Sequence, residues 1–88
     1  MNLNGELEME TLERVRNAIN NFGSVIRDYC EQELLTLNDI AERVGCSGSY
    51  IFRAVKGSRR VPVHMRVKIL TKGLNWNSNE IECFLIQL

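Results

Sequence analysis

Residues 36–57 constrain the fold of this 88-residue chain more than any other stretch. Apolar residues recur at helical spacing on both sides of a short polar break, which predicts two short amphipathic helices over about 37–44 and 47–56. Gly45 lies at the break, where a sharp turn needs a positive φ, and Ser47 can cap the second helix. Two short helices joined by such a turn are typical of a helix-turn-helix.

The N-terminal third carries an apolar seam with heptad spacing. Its members are Leu12, Val15, Ile19, Phe22, Ile26 and Tyr29. The seam keeps its phase throughout, which favours one helix over about 6–34. Asn20, Asn21 and Gly23 are poor helix formers in its middle, so two helices that meet there are the alternative.

The rest of the chain also has helical patterns. Pro62 suits the first turn of a helix that ends at Gly73. Trp76 is expected to anchor the next loop, and Ser78 to cap a last helix. That helix is lined by Ile81, Phe84, Leu85 and Leu88. No strand pattern competes, so the chain is predicted to be all-α, with five or six helices.

Composition argues against several classes of protein. No apolar run approaches the roughly 20 residues of a membrane span and no signal peptide is visible, so we expect a cytoplasmic location without membrane contact. Cys30, Cys46 and Cys83 are odd in number and far apart, which favours buried or half-buried thiols over a disulfide framework or a metal site. The chain has a single histidine, His64, and shows no nucleophile–base pair, paired carboxylates or Gly-rich phosphate loop, so we expect neither an enzyme nor a cofactor.

Acidic and basic residues are segregated although the net charge is zero. Residues 1–36 hold seven acidic and three basic residues, a net charge of −4. Residues 37–73 hold two acidic and eight basic residues, a net charge of +6, and they include the predicted helix-turn-helix. A basic block at that position indicates a surface that binds the phosphates of DNA.

From about residue 22 to residue 88 the chain resembles the lambda-repressor/Cro-type (XRE-like) helix-turn-helix family of phage repressors and bacterial regulators. The resemblance is carried by Ile40-Ala41, Val44-Gly45, Ile51, Gly57, a basic loop with a proline, and the turn Gly73-Leu74-Asn75. It implies a lambda-repressor-like DNA-binding domain over 22–88, with the second motif helix in the major groove. Residues 1–21 lie outside it and are predicted to form an N-terminal helical extension.

The resemblance also implies which residues contact the bases. They are Ser47, Gly48, Ser49 and Arg53. Ser49 and Arg53 are four residues apart and share a face, and Arg53 can pair with guanine O6 and N7. Gly48 stands where family members often carry a long polar side chain. Tyr50 and Phe52 are further candidates for DNA contacts, although Phe52 can instead tuck under the N-terminal helix.

Phosphate contacts are implied for residues around the motif. They are Asn38, Lys56, Arg59 and Arg60. Asn38, like Thr36, can also cap the first motif helix. Arg43 and Arg66 are either further phosphate contacts or plain surface.

One groove-binding helix reads only a few base pairs, so we expect a homodimer on double-stranded DNA. The predicted dimer interface consists of Leu7, Leu12, Val15 and Ile19, with the C-terminal helix, or packing of the seam onto its own domain, as alternatives. The expected function is sequence-specific DNA binding by a transcriptional regulator associated with the nucleoid, a repressor of phage, plasmid or bacterial origin. The alternative is a protein-interaction module, an antirepressor or adaptor, on the same fold.

Overall fold

A computed structural model describes the backbone of residues 3–57 and 60–88, and the side chains of these residues from residue 9 onward. This part of the chain contains six α-helices and one π-helical turn. They are α1 (Leu3–Asn20), α2 (Phe22–Glu33), α3 (Leu37–Val44), α4 (Gly48–Lys56), α5 (Val63–Lys68), the π-helical turn (Ile69–Gly73) and α6 (Ser78–Gln87). No strand occurs in these ranges, so the all-α prediction is confirmed.

The preference for one helix over about 6–34 is wrong, because the helix is interrupted at Asn21. This residue has φ −149° and ψ 68°, and α2 begins at the next residue. The seam kept its phase because both helices bury residues from it. The interruption lets α2 turn and pack closely against α4, which lies so near Gly23 that a Cβ there would be 2.3 Å from the Val55 carbonyl oxygen.

Helix α1 belongs to the common core and packs on both α6 and α2. Val15 has no exposed surface and Ile19 packs partly buried against the core. The prediction that Val15 lies in a dimer interface is therefore wrong, because its side chain is already enclosed by its own fold. Leu12 stays half-buried, and the side chain of Leu7 lies outside the described residues.

An ion pair and an aromatic contact fasten α1 to the C-terminal part. Arg14 Nη1 lies 2.5 Å from Oε2 of the buried Glu80, and the Arg14 guanidinium lies 5.1 Å from the centre of the Trp76 ring. Trp76 is buried and makes an edge-to-face contact with Phe84, at 6.4 Å between ring centres. The prediction that Trp76 anchors this loop is confirmed.

The N-cap of the last helix is Asn77 and not Ser78, one residue earlier than predicted. Asn77 Oδ1 accepts a hydrogen bond from the Glu80 backbone N–H at 2.9 Å, and Glu80 Oε1 accepts one from the Asn77 N–H at 3.0 Å. This reciprocal pair satisfies two backbone N–H groups at the start of α6, whereas Ser78 as the cap would not form such a pair.

The predicted apolar lining of the last helix is divided between inside and outside. Phe84 is fully buried and Ile81 is half-buried, but Leu85 is 47% exposed and Leu88 51%. Ile86, which was not predicted to line the helix, is 72% exposed. The C-terminal end of α6 and the residue after it therefore expose three apolar side chains, which we call the α6 face (Leu85, Ile86 and Leu88).

Candidate nucleic-acid interface

The first motif helix, α3, begins where a complete capping box forms. Thr36 Oγ1 accepts a hydrogen bond from the Asp39 N–H at 3.1 Å, and Asp39 Oδ2 accepts one from the Thr36 N–H at 2.8 Å. Thr36 is thus the cap, and Asn38 is not. The pKa of the Asp39 carboxyl is lowered, chiefly by its hydrogen bond to the Thr36 backbone and next by that to the Thr36 side chain. The positive charge of Arg43 makes a smaller contribution.

The turn between α3 and α4 has the predicted geometry. Gly45 has φ 86°, and its N–H donates to the Ala41 carbonyl at 2.8 Å, as does the Cys46 N–H at 3.0 Å. A Cβ on Gly45 would meet nothing within 4 Å, so glycine is needed there for the left-handed backbone and not for space. Ser47 caps α4, as predicted, by accepting the Tyr50 N–H at 3.1 Å.

The outer surface of α4 brings together most of the residues proposed to read bases. Ile51 and Ala54 are buried on the inner side of the helix. Ser49 and Arg53 are exposed, and Ser47 is exposed beside them with its hydroxyl 3.2 Å from that of Ser49. The arrangement leaves these polar groups accessible on one side of the motif.

The two aromatic residues of α4 have different environments. Tyr50 is half-buried and packs at the edge of the core. Phe52 is 50% exposed, and the Lys56 ammonium lies 5.2 Å from the centre of its ring. One side of Phe52 borders a groove of about 640 Å³, lined mainly by apolar residues. These include Cys30, Leu35, Leu37 and Val55.

Gly48 is partly buried, and the α3 side chain of Asn38 lies directly beside it. A Cβ placed on Gly48 would be 2.0 Å from Asn38 Oδ1. The sequence gives no sign of this neighbour, because the two residues are brought together only by the crossing of α3 and α4.

Basic side chains from four elements line a groove of about 420 Å³ at the C-terminal end of α4. We call it the basic groove (Arg27, Lys56, Arg60 and Arg66). Arg66 is held in place, since its Nε donates to the Val61 carbonyl at 2.8 Å and its guanidinium lies 5.8 Å from the centre of the Phe22 ring. No acidic residue lines the groove among the described residues. Its positive potential suits an anion such as a phosphate.

Arg27 is the member of this groove that sequence reasoning missed. It comes from α2, 29 residues before Lys56 along the chain. Only its position one helical turn after Gly23 could have indicated that it lies near α4. Arg59, predicted to contact phosphate, lies outside the described residues.

Arg43 has a structural role that its sequence position did not reveal. Its Nη1 donates to the Gly73 carbonyl at 3.0 Å and to Tyr29 Oη at 3.1 Å. Asn75 Nδ2 donates to the same Tyr29 oxygen at 3.2 Å. These bonds join α3 to α2 and to the turn after Gly73, and so support the motif from behind.

The three cysteines are free thiols, with Cys30 buried and Cys46 and Cys83 half-buried, as predicted. Burial raises the pKa of the Cys30 thiol, helped by the negative charge of Asp39, and burial also raises that of Cys46. Among the described residues no group of His, Cys, Asp and Glu could hold a metal ion. None of the described helices has both the length and the apolar character that a membrane crossing requires.

Comparison with known proteins adds no relative: no family model, no curated protein and no solved structure matches this chain.

Proposed function

We propose that this chain is a sequence-specific double-stranded DNA-binding regulator of the lambda-repressor-like class, a repressor of phage, plasmid or bacterial origin. The observation that carries the proposal is the exposed side of α4. Ser49, Arg53 and Lys56 share it and lie on a helix whose start is fixed by the Gly45 turn and the Ser47 cap. A helix presented in this way fits the major groove.

Arg53 is the principal base-reading residue in this proposal. A guanidinium pairs bidentately with guanine O6 and N7, which is worth about 1–3 kcal/mol against other bases. Ser47 and Ser49 can both donate and accept hydrogen bonds, so they discriminate less.

The basic groove supports binding to the DNA backbone. Lys56 and Arg60 continue from α4 toward the loop, and Arg27 extends the positive surface onto α2. Contacts of this kind hold the helix in register without reading sequence. They also make the affinity depend on salt, with a slope of about −0.9 for each phosphate neutralised.

Selection of bound sites from a random duplex pool tests the function directly. We expect recovery of a palindromic site, and the Arg53→Ala variant should lose its preference at one position of each half-site. Lys56→Ala should weaken binding to all duplexes about equally. Recovery of no common site, together with equally weak binding by the wild type and Arg53→Ala, would exclude a sequence-reading role.

We further propose a homodimer that meets through the α6 face, since Val15 is unavailable. Its three exposed apolar side chains, two at the end of α6 and one directly after it, form a surface that association would remove from water. Sedimentation should show that a Leu85→Glu/Leu88→Glu variant is monomeric. The Leu12→Glu variant tests the α1 alternative, because Leu12 is half-buried and outside the fully buried core. Loss of the dimer in Leu12→Glu alone would move the interface to α1.

The apolar groove beside Phe52 favours one alternative, a protein-interaction module. Phe52 is 50% exposed and lines the same groove as Leu35 and Leu37, an apolar patch that a protein partner could cover. In that case Phe52→Ala would leave DNA affinity unchanged and abolish binding to a protein partner. If Phe52→Ala instead reduces preference for a thymine in the site, the aromatic ring contacts DNA.

A further inference from the structure

Gly48 begins α4 without a side chain, but the space beside its Cα is occupied. An added Cβ would lie 2.0 Å from Asn38 Oδ1 and 3.2 Å from Asn38 Cγ. The positive-φ glycines are Gly45 and Gly57, so Gly48 does not need glycine for its backbone conformation. Its small size instead leaves room for the Asn38 amide, which takes the volume that a side chain at residue 48 would fill.

We propose that Asn38 of α3 supplies the amide that α4 lacks at residue 48, and that this amide selects an adenine–thymine pair in the bound DNA. The inference rests on the proposed function. An asparagine amide pairs bidentately with adenine N6 and N7, one donor with one acceptor. This is a narrower role than the phosphate contact predicted for Asn38 from its position at the start of the first motif helix.

The surroundings of Asn38 allow such a contact. Asn38 is exposed and lies beside the first turn of α4, whose outward residues Ser47 and Ser49 are small. Small side chains let this end of the helix come close to the base edges, which brings a short amide within reach. The hydroxyls of Ser47 and Ser49, 3.2 Å apart, would bind next to it.

A double-mutant cycle in the full chain tests the shared volume. In Gly48→Ala the new methyl group must displace the Asn38 amide, which can rotate away because it ends a flexible side chain. This variant should therefore fold normally, as thermal unfolding would show, yet lose the same adenine preference as Asn38→Ala. The double variant should lose no more than either single variant, because both changes remove one interaction.

The readout is the ratio of affinities for duplexes that carry adenine or another base at each position of the selected half-site. Wild type should prefer adenine at one position by about 5- to 150-fold, the range expected for a bidentate pair. Asn38→Ala and Gly48→Ala should bring this ratio close to one. Asn38→Asp should shift the preference toward cytosine, whose N4 amino group donates to a carboxylate. Asn79→Ala, an exposed asparagine on α6, is the matched control and should change nothing.

Each contrary result has its own meaning. If Asn38→Ala weakens all duplexes equally, Asn38 is a phosphate contact and the inference fails while the proposed function stands. If Gly48→Ala still weakens adenine binding in the Asn38→Ala background, its methyl group acts on the DNA itself and the shared volume is refuted. If the wild type selects no site at all, the proposed function fails as well.

Discussion

Replacing Gly23 by alanine should destabilise this protein, although alanine is the better helix former. Gly23 is the second residue of α2, and a Cβ there would lie 2.3 Å from the Val55 carbonyl oxygen and 2.9 Å from the Val55 carbonyl carbon and Cα. Even a short C–H···O contact needs about 3.3–3.6 Å between carbon and oxygen. The obstacle is backbone of α4, so the two helices must separate by roughly 1 Å to relieve it.

The size of the effect follows from two opposing contributions. Overpacking of this kind costs about 1–3 kcal/mol, and the helix propensity of alanine returns at most about 1 kcal/mol. A net loss of about 1–2 kcal/mol in the free energy of unfolding would lower the melting temperature by about 5–15 °C in a domain of this size. Urea unfolding followed by circular dichroism at constant m-value measures it. Because α4 carries the proposed reading surface, DNA affinity should fall as well.

Gly45 provides the matched control. A side chain there meets nothing within 4 Å, and only the left-handed backbone (φ 86°) resists substitution. Gly45→Asn should therefore be tolerated better than Gly45→Ala, because asparagine adopts this conformation more readily. At Gly23 the order reverses, since asparagine is larger than alanine. A Gly23→Ala protein as stable as wild type would refute the close approach of α2 and α4.

Three further predictions concern charge and thiols. Arg27→Gln should reduce the slope of log affinity against log salt concentration by about 0.9 without changing the selected site. Arg16→Gln, which changes an exposed residue of α1, is the control and should leave the slope unchanged. Equal slopes in the two variants would mean that Arg27 does not contact DNA. Because the pKa of Asp39 is lower in the folded protein than in the unfolded chain, the ionised carboxylate stabilises the fold at pH values above the unfolded pKa of about 4. This contribution is lost as the pH falls through the folded pKa. The stabilities of wild type and Asp39→Asn should therefore approach each other as the pH falls below about 4, and a constant gap would contradict this origin. Cys30, buried and with a raised pKa, should react with iodoacetamide more slowly than Cys83 when followed by mass spectrometry, and equal rates would mean that the core opens readily.

The proposed reading surface is lean, and this has a consequence for specificity. On the face shared with Ser49, the long basic side chains are Arg53 and, at the end of α4, Lys56. Tight discrimination would then require two half-sites, so the α6 face and the DNA surface must be occupied together. A monomeric Leu85→Glu/Leu88→Glu variant should accordingly keep the same half-site preference with much weaker binding to the full site.

The helix-turn-helix could be read from the sequence because its determinants are local. Thr36 and Asp39 form their capping box within one turn, and Gly45 and Ser47 act on neighbouring backbone groups. The bounds of α3 and α4 agree with the prediction within one residue for the same reason. Periodicity also identified the inner faces of these helices, since burial of Ile40 and Ile51 needs only a core on one side.

Tertiary structure decided everything that depends on which surfaces meet. The phase of the apolar seam could not show whether Val15 faces a partner or its own core, because both give the same heptad pattern. Asn21 and Gly23 looked like weak points of one helix, whereas the chain breaks at Asn21 and α2 approaches α4 closely at Gly23. The sequence by itself determined a helix-turn-helix with a basic surface. Only packing placed Arg27 in the basic groove, gave Arg43 its hydrogen bonds to other elements and set Asn38 against Gly48. In each case the residue and its neighbours lie on different elements, and no local sequence pattern shows how far apart they are.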